Sequence, residues 1–81
     1  MEIKVEKQVL KYINSQDKPT KQRLKTALAG LLENPPKGDI TPLINNPPLQ
    51  RLRVGSLRVI FCEDNGIIRV VKISPRGQSY K

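Results

Sequence analysis

Two turn signals, ten residues apart, constrain this chain more than any other feature. Gly55-Ser56 separates LQRLRV from LRVIFC, and Asn65-Gly66 precedes IIRVVKI. Two-residue loops that start with Gly, or read Asn-Gly, close type II′ and I′ hairpins, because their backbone twist matches that of the flanking strands. Three consecutive strands follow: Leu49 to Val54, Leu57 to Cys62 and Ile67 to Ile73, with Glu63 to Gly66 as the second turn. Pro75 is expected to stop the third strand, leaving residues 76–81 as a polar tail.

The preceding segments read differently. Met1 to Val5 alternates as a short strand. From Glu6 to Ser15, Val9, Leu10 and Ile13 recur at helical spacing, with Tyr12 beside them. Asp17 stands as an N-cap, with Pro19 in the first turn of a second helix, Thr20 to Glu33. Leu24, Ala27, Leu28, Leu31 and Leu32 form its apolar stripe, opposite Lys21, Gln22, Lys25 and Thr26. Gly30 costs that helix about 1 kcal/mol relative to Ala, and Asn34-Pro35-Pro36 ends it. Residues 35–48 read as a loop tacked down by Ile40, Leu43 and Ile44. The order is β-α-α-β-β-β: an α+β domain with a helical hairpin packed on one face of a small, mainly antiparallel sheet.

The first hairpin carries three arginines in an otherwise apolar run. A two-residue loop at Gly55-Ser56 sets Arg53 opposite Arg58, and strand alternation puts Arg51 on the same face. Leu52, Val54, Leu57, Val59 and Phe61 then share the face that the helices cover. Closing the second hairpin at Asn65-Gly66 sets Asp64 opposite Ile67, Ile60 opposite Val71 and Arg58 opposite Ile73, with Arg76 leaving the sheet beside Arg58 and Arg53. Like charges directly opposite in a sheet are destabilising, and Glu63 and Asp64 lie at the far end of the hairpin. Any one arginine is adequately explained as a solvent-facing side chain with its stem along the sheet. Three on one face, with a fourth at its edge, point to an anion site, because the guanidinium fork suits phosphate.

The charge distribution agrees. The chain carries 15 Lys and Arg against 7 Asp and Glu, a net charge of +8 in 81 residues. Residues 1–48 hold eight bases and five acids (+3), and residues 49–81 hold seven bases and two acids (+5). Such an excess favours polyanions. There is no histidine and a single cysteine, Cys62. Zinc sites, Cys-His nucleophilic chemistry and internal disulfides are excluded, and a reducing compartment is expected. No phosphate-cradling glycine motif, signal peptide or membrane-spanning run is present, so no cofactor and no membrane partner are expected, and the protein is expected to be cytoplasmic. The length suits one domain, residues 1–81.

Taken together, RLRVGSLRVIF, IIRVVKISPRG, a near-terminal Tyr80 and the upstream ENPPKGDITPL resemble the RelE/ParE superfamily of bacterial toxins over nearly the whole chain. RelE-like toxins are endoribonucleases that enter the ribosomal A site and cut the exposed mRNA codon. A cognate antitoxin wraps them and holds them inactive. The resemblance implies a metal-independent mRNA interferase with the 70S ribosome, mRNA and an antitoxin as partners. Carried over by position, it places Arg51, Arg53, Arg58, Arg76 and Tyr80 around the scissile phosphate, with Lys81 as a further phosphate-binding cation. Two family positions that are often Lys are Arg51 and Arg53 here, a C-terminal helix found in some members is missing, and the Arg76–Tyr80 spacing is tight.

Metal-free RNA cleavage uses the 2′-hydroxyl as nucleophile. It needs a base, stabilisation of the charged phosphorus transition state, and an acid for the leaving oxygen. The arginines suit the second task but not proton transfer. Tyr80 is the candidate base or hydroxyl-orienting group, since nearby cations favour the phenolate. Stacking on a codon base and simply packing on the sheet are the alternatives to that role. A site built from charge needs its substrate aligned by something else, which agrees with ribosome dependence. Two other readings share this fold or charge: a ParE-like DNA gyrase poison without RNase activity, and a catalytically weak basic RNA- or ribosome-binding module.

Overall fold

The computed structural model describes residues 2–33, 35–43 and 48–75. Its elements are β1 (Glu2–Val5), α1 (Lys7–Asn14), α2 (Lys18–Gly30), β2 (Asp39–Pro42), β3 (Gln50–Val54), β4 (Leu57–Asp64) and β5 (Ile67–Pro75). The five strands form one sheet in the order β1-β5-β4-β3-β2. β1 pairs in parallel with β5, and the other three pairings are antiparallel. The fold is α+β, as the hydrophobic patterning implies. No helix among the described residues is long and apolar enough to cross a membrane.

Both hairpins close where the sequence places them. Gly55 has φ +59°, while Asn65 and Gly66 have +53° and +78°, the positive-φ positions of type II′ and I′ turns. Leu52, Val54, Leu57, Val59 and Phe61 join Val9 and Ile13 of α1, and Leu24 and Leu31, in one buried cluster. The helices therefore cover the expected face of the sheet.

Three local expectations are corrected on the helices. Asp17 occupies the N-cap of α2, yet its side chain makes no cap hydrogen bond. Leu10 and Leu32, counted in the apolar stripes, are exposed. α2 ends at Gly30 rather than Glu33, and the Leu31 N–H donates to the Leu28 carbonyl in a tightened last turn. Gly30 has a positive use there. The Lys37 N–H donates to its carbonyl at 2.9 Å, and a Cβ at Gly30 would come within 3.2 Å of the Lys37 carbonyl oxygen. The chain leaving α2 crosses the helix end where a side chain would obstruct it.

The segment read as a loop contains a strand, β2, paired with β3 through Ile40↔Leu52 and Asp39↔Arg53. Gly38 admits it. Its φ is +130°, a region that L side chains rarely adopt, and a Cβ there would lie 2.6 Å from Leu52 Cδ1. Four residues flanked by Pro, Gly and Asn carry little period of their own, so this strand exists because β3 offers it a ladder. Ile40 is half-buried against the core as expected, while Ile44 lies outside the described residues.

The second hairpin departs from the expected register. Asp64 faces Ile67, but the ladder shifts between Ile60 and Phe61, so that Phe61 faces Val70 while Ile60 faces Lys72. Val71 is the extra residue of a β-bulge. In place of the expected Ile60–Val71 and Arg58–Ile73 pairs, Arg58 faces Ser74 and Ile73 faces Val59. The physical reason is burial. With strict alternation Ile73 would stand on the arginine face, whereas the bulge puts Ile68, Val70 and Ile73 together in the core cluster. The Gln8 side-chain amide of α1 donates to the Val71 carbonyl at 3.1 Å, which serves one of the backbone groups the bulge removes from the ladder.

Candidate nucleic-acid interface

The open face of the sheet, away from the helices, collects the cations. β3 contributes Arg51 and Arg53, and β4 contributes Arg58, with Arg53 and Arg58 directly paired across the ladder as the Gly55-Ser56 turn requires. Arg51 stands across from Ile60. The bulge brings Lys72 and Ser74 to this face, opposite Ile60 and Arg58. Lys72 was missed at the level of sequence because Val71 disguised the change of face. The signal was the three-residue step from Val70 to Ile73 after a two-residue step from Ile68.

Ile60 is fully buried although it lies on the arginine side and outside the helix-side cluster. It forms an apolar floor between Arg51 and Lys72, its partners in the ladder on either side. Aliphatic stems can lie along such a floor while the charged heads reach outward. The lower local polarity strengthens interactions of those heads with an anion. Ser74, also buried, has a hydroxyl with no hydrogen-bond partner among the described residues. It stands opposite Arg58 in the β4–β5 ladder, with its Oγ closed to solvent.

Charge is distributed unevenly along the face. Toward the Asn65-Gly66 end, Arg69 and Lys4 face each other, and the acids Glu2 and Asp64 both stand opposite Ile67. At the Gly55 end the acid is Asp39 of β2, whose Oδ2 lies 3.7 Å from Arg53 Nε. Glu63 and Asp64 are thus remote from the arginines, as expected, but β2 supplies a counter-ion that a loop would not have placed. Both side chains of the pair are about half exposed, so the bridge contributes only ~0.2–1 kcal/mol. It softens the Arg53–Arg58 repulsion without neutralising the site.

The structure therefore brings Arg51, Arg53 and Arg58 to one face. Arg76, Tyr80 and Lys81, the other expected site residues, lie outside the described residues. Tyr12 and Phe61, read from sequence as core aromatics, pack in or against the core cluster, and Cys62 is a free thiol on the open face, across from Arg69.

The sequence model of the family described as the ParE toxin of type II toxin-antitoxin systems, parDE, matches residues 4–80. The archaeal RelE of a RelE–RelB complex from Pyrococcus horikoshii OT3 superposes with a TM-score of 0.78 at 30% identity, covering 96% of this chain and 97% of that one. A chain of the RelB–RelE antitoxin–toxin complex from Methanococcus jannaschii shares the fold, with a TM-score of 0.72 at 16% identity over 88% and 87% of the two chains. No curated protein sequence gives a significant match. With its family match running almost end to end, the chain belongs to the RelE/ParE superfamily of toxins from type II toxin-antitoxin systems.

Proposed function

We propose that this toxin is of the RelE type, a ribosome-dependent endoribonuclease that cuts mRNA in the A site and so stops translation. The observation that carries the reading is the Arg53–Arg58 pair, set face to face on the open side of the sheet with Arg51 beside it. Opposed guanidinium groups cost stability when the site is empty. They bind strongly when a phosphate with two or more anionic oxygens lies between them. In the proposed mechanism Arg51, Arg53, Arg58 and Arg76 hold the scissile phosphate and the charge that develops on it. Lys72 extends the cradle, Lys81 adds a phosphate contact, and Tyr80 orients or deprotonates the 2′-hydroxyl. Alignment of the strand is left to the ribosome. Residues 1–81 act as one toxin domain in the cytoplasm, held inactive by a cognate antitoxin. The solved relatives, as RelE–RelB pairs, support that partner.

One observation favours a second reading. The matching family description is that of ParE, which fits a gyrase poison that cuts no RNA. Primer extension on translated mRNA after induction separates the two, comparing wild type with Arg58→Ala and Tyr80→Phe. Codon-positioned cuts that disappear in Arg58→Ala support the nuclease. Growth arrest with intact mRNA and inhibited supercoiling overturns it in favour of the ParE-like activity. Salt-dependent ribosome binding with neither effect identifies a basic RNA-binding module.

A further inference from the structure

Arg23 is an exposed cation on α2, a helix that contains no acidic residue. It makes no ion pair or hydrogen bond among the described residues. Its head lies close to the β3–β4 turn. A Cβ on Gly55 would lie 3.1 Å from Arg23 Nη1, the one neighbour within van der Waals range of that position. The guanidinium therefore lies beside Gly55, in the space that a side chain there would approach. Arg53 precedes that turn and Arg58 follows it, and each is about 7–10 Å along its strand from Gly55 at the usual strand rise. Arg23 thus comes from the helical layer to the end of the hairpin at which the opposed arginines stand. The other α2 cations are elsewhere: Lys25 lies roughly 200° round the helix from Arg23, with Lys18 and Lys21 on its side of a shallow depression.

Resting on the reading of the arginine face as a phosphate cradle, we propose that Arg23 is a further RNA-binding residue. It holds a backbone phosphate next to the one between Arg53 and Arg58, where the strand passes round the hairpin end. The unused guanidinium donors, the absence of a nearby acid on α2 and the close approach to the turn all fit this role. A cation serving only solubility needs no such placement. Gly55 has two functions in this arrangement: it supplies the positive φ of the turn, and it leaves room for the Arg23 head.

The test measures binding of the full chain to a labelled, 2′-O-methylated oligouridine, which cannot be cleaved, by fluorescence anisotropy across a salt series. The variants are Arg23→Gln and Lys25→Gln, which remove the same charge from opposite flanks of one helix, and Arg23→Lys. Losing one phosphate contact to a single strand lowers the log–log salt slope by about 0.7. Arg23→Gln is expected to show that drop with severalfold weaker binding, Lys25→Gln less than half of it, and Arg23→Lys a slope near wild type. Equal effects of Arg23→Gln and Lys25→Gln overturn the inference, since only net charge would matter; so does a wild-type slope in Arg23→Gln. Salt-independent binding by the wild type itself would instead remove the cradle, and this inference with it. Intact mRNA on ribosomes, with the Arg23 slope effect present, would overturn the nuclease and leave the binding residue standing.

Discussion

Asp39 tests the electrostatic logic of the face most sharply, because stability and binding respond to it with opposite signs. Asp39→Asn removes the carboxylate 3.7 Å from Arg53, which faces Arg58 across the ladder. At about 4 Å, two unit charges in high-dielectric surroundings interact by ~1 kcal/mol, and half-exposed pairs measure ~0.2–1 kcal/mol. Uncompensated like charges across a ladder cost a similar amount. Stability is therefore expected to fall by about 0.5–1 kcal/mol, read from the urea midpoint at unchanged m-value. The same carboxylate repels any phosphate brought to the arginines and competes with it for Arg53. Removing it should tighten RNA binding by about two- to fivefold at low salt, the ratio that ~0.4–1 kcal/mol corresponds to. The gain should shrink as the Debye length falls below about 8 Å. Urea melts and a salt series of RNA-binding isotherms on the two proteins give both numbers. Weaker or unchanged RNA binding in Asp39→Asn at low salt would refute the assignment of Arg53 to the anion site.

Two predictions concern what positions that face. Gly38→Ala combines a strained positive φ with a Cβ 2.6 Å from Leu52 Cδ1. It should cost about 2–5 kcal/mol by strain and overpacking together, and chemical denaturation giving a loss under about 1 kcal/mol would contradict the described turn. Gln8→Ala removes the amide that serves the bulge carbonyl of Val71. It should cost about 0.5–1.5 kcal/mol and speed amide hydrogen exchange around Val71 more than around the Gly55 turn; uniform exchange would mean that the bulge does not depend on α1.

Much of the site was legible before the fold was known. Arg53 and Arg58 are separated by a two-residue turn, so their pairing follows from local chain geometry, and Arg51 follows from strand alternation. Lys72 was hidden because Val and Ile at three neighbouring positions, 70, 71 and 73, fit more than one register. Only the demand for burial from Val9, Ile13, Leu24 and the rest of the cluster selects the bulged one. Asp39 and Arg23 were hidden for a simpler reason. Each meets the arginine end from a distant part of the chain, and no periodicity of either segment encodes such a meeting.

The sequence by itself determined the two hairpins, the two amphipathic helices and the common face of three arginines, because turns, helical stripes and strand alternation are set by interactions a few residues apart. The tertiary structure decided the fifth strand, the bulge that carries Lys72 and Ser74 to the open face, the Asp39 counter-ion and the resting place of Arg23. These depend on burial and charge summed over residues far apart in the chain, and that sum exists only once the helices lie on the sheet.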